Sequence, residues 1–98
     1  MGIRKITVRL SAAERISSVA WFIESKGMVK TAEKFVDAVY DFFEKLADPR
    51  KSYAECRNPE KKMFGYKCIS YKKKYTIVFL ETVSEIIICE FLPTKMLQ

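Results

Sequence analysis

The chain has 98 residues, about half of them apolar, with twelve Phe and Tyr plus Trp21, enough for one domain over residues 1–98 and too few for two. Three Gly, three Pro and no low-complexity run exclude a disordered or linker-dominated chain. The net charge is +6 with no His, and residues 50–74 carry nine Lys or Arg against two Glu, so the whole excess lies in that segment.

In chain order, residues 3–10 read as a strand in which Ile6, Val8 and Leu10 alternate with Lys5, Thr7 and Arg9. Ser11 is expected to cap a helix, with Glu14 completing a capping box. Ala12, Ile16, Val19, Ala20 and Ile23 supply its apolar face, and Gly27 marks its end. Thr31 is the expected cap of a second helix reaching about Ala47. Its core face is Ala32, Phe35, Val36, Val39, Phe42, Phe43 and Leu46, and Asp48-Pro49 stops it. The short connection makes the two helices an antiparallel hairpin.

Residues 50–60 read as an irregular charged loop broken at Asn58-Pro59. Three strands follow, at about 62–71, 75–81 and 85–92, joined by turns at 72–74 and 82–84. The fold class is therefore α+β, in the order β-α-α-β-β-β, with the hairpin on one face of a small, mainly antiparallel four-stranded sheet. The strands at 75–81 and 85–92 are apolar on both faces, which is expected where both faces are covered. Two helices cover only one. A partner protein is the expected cover for the other, ahead of the short tail 93–98 or a homodimer.

Cys56, Cys68 and Cys89 fit no metal-binding spacing. Cys68 and Cys89 are expected as apolar core residues; a disulfide is possible by geometry, but nothing suggests an oxidising compartment. No apolar run approaches the roughly 20 residues that span a bilayer. No signal segment is present, so a soluble, cytoplasmic protein with no membrane contact is expected. The absence of His, of a glycine-rich phosphate loop and of a clustered Asp pair leaves no cofactor or metal to expect and removes most enzyme classes.

One reaction survives without His: cleavage of RNA by its own 2′-hydroxyl. Lys, Arg, Tyr and Glu can position the strand, move the protons and neutralise the phosphorane. The candidate catalytic residues are Arg57, Lys62, Lys67 and Tyr71. The candidate nucleic-acid contacts are Lys61, Lys72, Lys73, Lys74 and Lys95. A solvated basic surface, or a module that binds nucleic acid without chemistry, accounts for the same residues.

Ala32-Glu33-Lys34-Phe35 leading to Phe43-Glu44-Lys45-Leu46-Ala47-Asp48-Pro49 is similar to the second helix and terminator of the RelE/ParE superfamily, the toxins of type II toxin–antitoxin pairs. Gly65-Tyr66-Lys67-Cys68-Ile69, Tyr75-Thr76-Ile77-Val78-Phe79 and Glu85-Ile86-Ile87-Ile88-Cys89-Glu90-Phe91 resemble its three consecutive strands. The resemblance implies a cognate antitoxin that wraps the toxin and covers the sheet. It also implies one of two targets, mRNA on the ribosome, which is favoured, or DNA gyrase. Ribonuclease members carry Arg late in the last strand and His or Tyr just beyond it. This chain has Glu90, Phe91, Leu92, Pro93 and Thr94 there, and a carboxylate at Glu90 repels phosphate. A divergent ribonuclease, a non-nuclease toxin and a member without activity all remain open.

Overall fold

The computed structural model describes residues 4–48, 50, 53–57 and 59–97. Ile3, Pro49, Lys51, Asn58 and Gln98, used in the sequence reading, lie outside them. Strand β1 (Lys5–Val8) leads into helices α1 (Leu10–Ser25) and α2 (Val29–Leu46). A short helix α3 (Pro59–Met63) precedes β2 (Lys67–Tyr71), β3 (Tyr75–Glu81) and β4 (Glu85–Pro93), and a 3-10 turn covers Thr94–Leu97. The sheet order is β1-β4-β3-β2, with β1 parallel to β4 and the other pairs antiparallel. This is the expected β-α-α-β-β-β arrangement, with an open sheet and two extra helical turns, α3 and the 3-10 turn.

The helical hairpin packs on one face of the sheet. Ala12 and Ile16 from α1 and Val39, Phe43 and Leu46 from α2 meet Ile77, Phe79, Ile86, Ile88 and Phe91. A bulge makes this possible. Val78 pairs with Glu90 but Phe79 pairs with Ile88, so Cys89 is the extra residue. Strict alternation would put positions 86, 88 and 90 on the core face. The bulge resets the phase, burying Phe91 there instead and turning Glu90 to the opposite face. Tyr75 stacks on Phe91 at 4.8 Å between ring centroids, and Phe35 meets Phe91 edge-on at 6.3 Å.

Several local expectations are corrected. Leu10 begins α1 and is exposed, because Arg9 ends the strand by donating its N–H to the Ile88 carbonyl at 2.9 Å. Ser11 does not cap α1. It lies within the first turn, and its Oγ donates to the Cys89 carbonyl at 2.9 Å. Thr31 does not cap α2, which already starts at Val29 with no side-chain cap. Gly27 does end α1 in the left-handed region, at φ 83°.

The segment expected as a strand from 62 starts only at Lys67. Pro59 and Glu60 suit the first turn of a helix, and Gly65, at φ 78°, turns the chain out of it. Cys68 is not a free core cysteine: it forms a disulfide with Cys56 across a Cα–Cα distance of 4.8 Å. A bridge closing a loop of this length contributes about 3 kcal/mol by restricting the unfolded chain. Cys89 is free and buried, as expected.

The second sheet face does not wait for a partner throughout. Val78, which alternation places there, is 1% exposed, and Thr76 is buried beside it. Residues 56–57 and 59–61, between α2 and β2, lie beside this face, tied down by the disulfide and by Lys61, whose Nζ reaches Glu90 Oε2 at 3.3 Å. Thr94 adds a hydroxyl contact to Thr76 at 3.2 Å from the tail.

Candidate functional site

Two basic surfaces take up most of the cations singled out from sequence. The first is a cleft of about 770 Å³ on the second sheet face, between the covering segment and β2–β3. Arg57, Lys61 and Glu55 line it from the cover, and Ser70, Thr76 and Thr94 from the sheet and tail. Lys61 also borders a smaller polar cavity of about 230 Å³ with Arg9, Ser11, Tyr66 and Glu90. The bulge that buries Phe91 is what brings the Glu90 carboxylate to Lys61, so part of the positive field here is already neutralised.

The four catalytic candidates do not converge in this cleft. Arg57 lines it. Lys62 is exposed on α3 and is not among the residues lining it. Lys67 and Tyr71 share a strand face with Ile69, which packs on the core, so alternation directs them to the helix side. Tyr71 is 5% exposed, with its ring 5.0 Å from Phe42. Burial, with the Asp41 carboxylate adding to it, pushes its phenol above the ordinary tyrosine range. Burial likewise pushes the Cys89 thiol up, which keeps it protonated and a poor nucleophile.

The second surface is a groove of about 620 Å³ between α1, the β2–β3 turn and the start of the tail. Lys73, Lys74 and Lys95 border it, as does Arg15, which the sequence reading passed over. Its apolar floor includes Val19, Phe22 and Pro93, and no carboxylate lines it. Phe22 is 56% exposed, a large apolar side chain left on the surface beside these cations. The wall is fixed by the Thr94 N–H, which donates to the Lys74 carbonyl at 2.9 Å. Lys72 sits apart, its Nζ 5.6 Å from the Tyr71 ring centroid in a hollow shared with Asp41 and Lys45.

Arg15 and Phe22 were legible only in part. They sit seven residues apart on α1, a helical repeat that leaves the core stripe, but the sequence does not say which strand end faces them. Chemically, the groove suits a ligand bearing both negative charge and apolar groups. Among the described residues, no three His, Cys, Asp or Glu side chains are grouped to hold a metal ion. No described helix is long and apolar enough to cross a membrane.

No family model and no curated protein matches this chain. Solved structures do match it in fold. One is a chain of the chromosomal ParDE toxin–antitoxin system from P. aeruginosa, with a TM-score of 0.74 over 93% of this chain and 96% of that one. The two are 13% identical, so the likeness is one of fold.

Proposed function

We propose that this chain is the toxin half of a type II toxin–antitoxin module, acting in the cytoplasm and silenced by a cognate antitoxin seated in the Lys73–Lys74–Lys95–Arg15 groove. The observation that carries this reading is that groove, an apolar floor ringed by four cations and no carboxylate, on a fold shared with a chain of a ParDE system. An antitoxin segment with acidic and apolar side chains meets both requirements at once. Inducible expression in a bacterial host should arrest growth, and co-expression of the small reading frame beside the gene should relieve it. Soluble accumulation without arrest removes the proposal.

Two targets are open to such a toxin, mRNA on the ribosome and DNA gyrase. Ribosome-associated mRNA cleavage needs an acid, a base and cations around one phosphate, and of the four candidates only Arg57 lines the cleft. We therefore rank binding of a target, as in a gyrase-inhibiting toxin, ahead of cleavage. Mapping of mRNA ends in arrested cells and a supercoiling assay with purified gyrase separate the two. If cleavage operates, Arg57→Ala, Lys62→Ala or Lys67→Ala lowers toxicity with the fold intact. Unchanged toxicity in all three disposes of that site.

A further inference from the structure

The described residues of the covering segment, 53–57 and 59–66, meet the sheet through a short helix, an ion pair, an edge pairing and a disulfide. Helix α3 has five residues, buries no side chain, and is far shorter than a helix that stands unaided. The Lys61–Glu90 pair is partly exposed, and such pairs hold weakly. Among the described residues, two backbone hydrogen bonds flank the Glu55–Lys67 bridge and pair residues 54–56 with the edge of the sheet, while the Tyr53 ring meets Phe79 at 5.4 Å on the helix side. Cys56 N–H donates to the Tyr66 carbonyl at 3.0 Å and Cys68 N–H to the Ala54 carbonyl at 3.3 Å. Both lie beside the Cys56–Cys68 bridge, the one covalent tie between cover and sheet among the described residues. Cys56 is 1% exposed, whereas Cys68 is half-buried on β2, the last strand in the sheet order.

We propose that the Cys56–Cys68 bridge is a redox-operated latch: oxidised, it holds the cover over the Arg57 cleft, and small thiols open it. Cys68 is the more exposed residue of the pair, so its sulfur is the point of attack. A thiolate of the reductant attacks it, forming a mixed disulfide and expelling Cys56 as its thiolate, which takes up a proton. A second reductant thiol then displaces Cys68, so the bridge gains two electrons and two protons and the reductant leaves as its own disulfide. Freed of the bond, Cys56 no longer anchors its neighbour Arg57, and the cleft wall facing Ser70 and Thr76 opens. In a reducing compartment bridges of this kind are transient and respond to redox state. The latch concerns the second face alone and stands whether or not the chain is a toxin.

The test uses the full chain, oxidised with glutathione disulfide or reduced with dithiothreitol, and amide exchange followed by NMR. Opening predicts at least tenfold faster exchange at the Cys56 and Cys68 amides in the reduced chain, with α1 and β4 unchanged, and reversal on reoxidation. The Cys56→Ser/Cys68→Ser double variant should exchange fast in both conditions, and Cys89→Ser should behave as the parent. Three alkylatable thiols after oxidation would overturn the latch. So would equal protection in both states, or loss of protection throughout the molecule on reduction, which makes the bridge a staple of the whole fold.

Discussion

Tyr71 carries a phenol suited to proton transfer, yet its ring lies against Phe42 and Phe91 on the helix side of the sheet. Its identity was readable and its direction was not, because alternation assigns a face only once the pairing with β3 is known. The same holds for Glu90, whose carboxylate the bulge turns toward Lys61 as an ionic partner. Tyr71→Phe should leave any toxicity unchanged. It should also alter alkaline stability. A phenol whose folded pKa is raised contributes stability that is intact below the ordinary value of about 10 and lost as pH rises through the folded value. The parent's urea midpoint should therefore drop between pH 8 and pH 11 by more than that of Tyr71→Phe. An equal drop would show that the phenol is not desolvated in the native state.

At the scale of elements, the β2–β3 turn places Lys72 at φ 52° and Lys73 at φ 62°, where Asn-Gly is the comfortable pair. A residue with a Cβ costs roughly 1–2 kcal/mol in that region. The replacement Lys72→Asn with Lys73→Gly should thus stabilise the fold by about 1 kcal/mol while weakening capture of an acidic partner, since Lys73 borders the groove. Thermal melting and partner pull-down should move in opposite directions. Stabilisation without loss of capture would place the partner elsewhere. Helices α1 and α2 were legible from apolar stripes at helical spacing, and strands β3 and β4 from apolar runs of strand length bounded by turns. The starts of the two helices were not: Ser11 and Thr31 look like caps, but the helices begin at Leu10 and Val29, with no side-chain cap at Arg9 or Met28. Helix α3 was hidden because Met63, Phe64 and Tyr66 continue the apolar character of β2, although Pro59 and Gly65 frame one helical turn.

Across the whole molecule, Arg4 ties three elements together. Its side chain is 8% exposed, with Nη1 donating to Glu81 Oε2 at 2.6 Å at the end of β3 and Nη2 to the Asp48 carbonyl at 3.1 Å beyond α2. Removing one partner of a buried pair leaves the other unpaired, so Arg4→Ala should cost about 3 kcal/mol, seen as a lower urea midpoint with an unchanged slope. A change under 1 kcal/mol would mean that water replaces these bonds. Neither this clamp nor the disulfide could be read from spacing, because both depend on which loop lies over which face. The parallel pairing of β1 with β4 sets Lys5 beside Glu85 and Val8 beside Ile88, the first described strand against the last. During synthesis β1 must therefore wait for almost the entire chain, and contacts this distant in sequence form late. Until β4 emerges, the apolar stripe of the helical hairpin has no Ile86, Ile88 or Phe91 to pack on. Pro93 and Lys95, which complete the groove, come later still. The groove is thus complete only once the last strand has closed on the first and the residues just beyond it have followed.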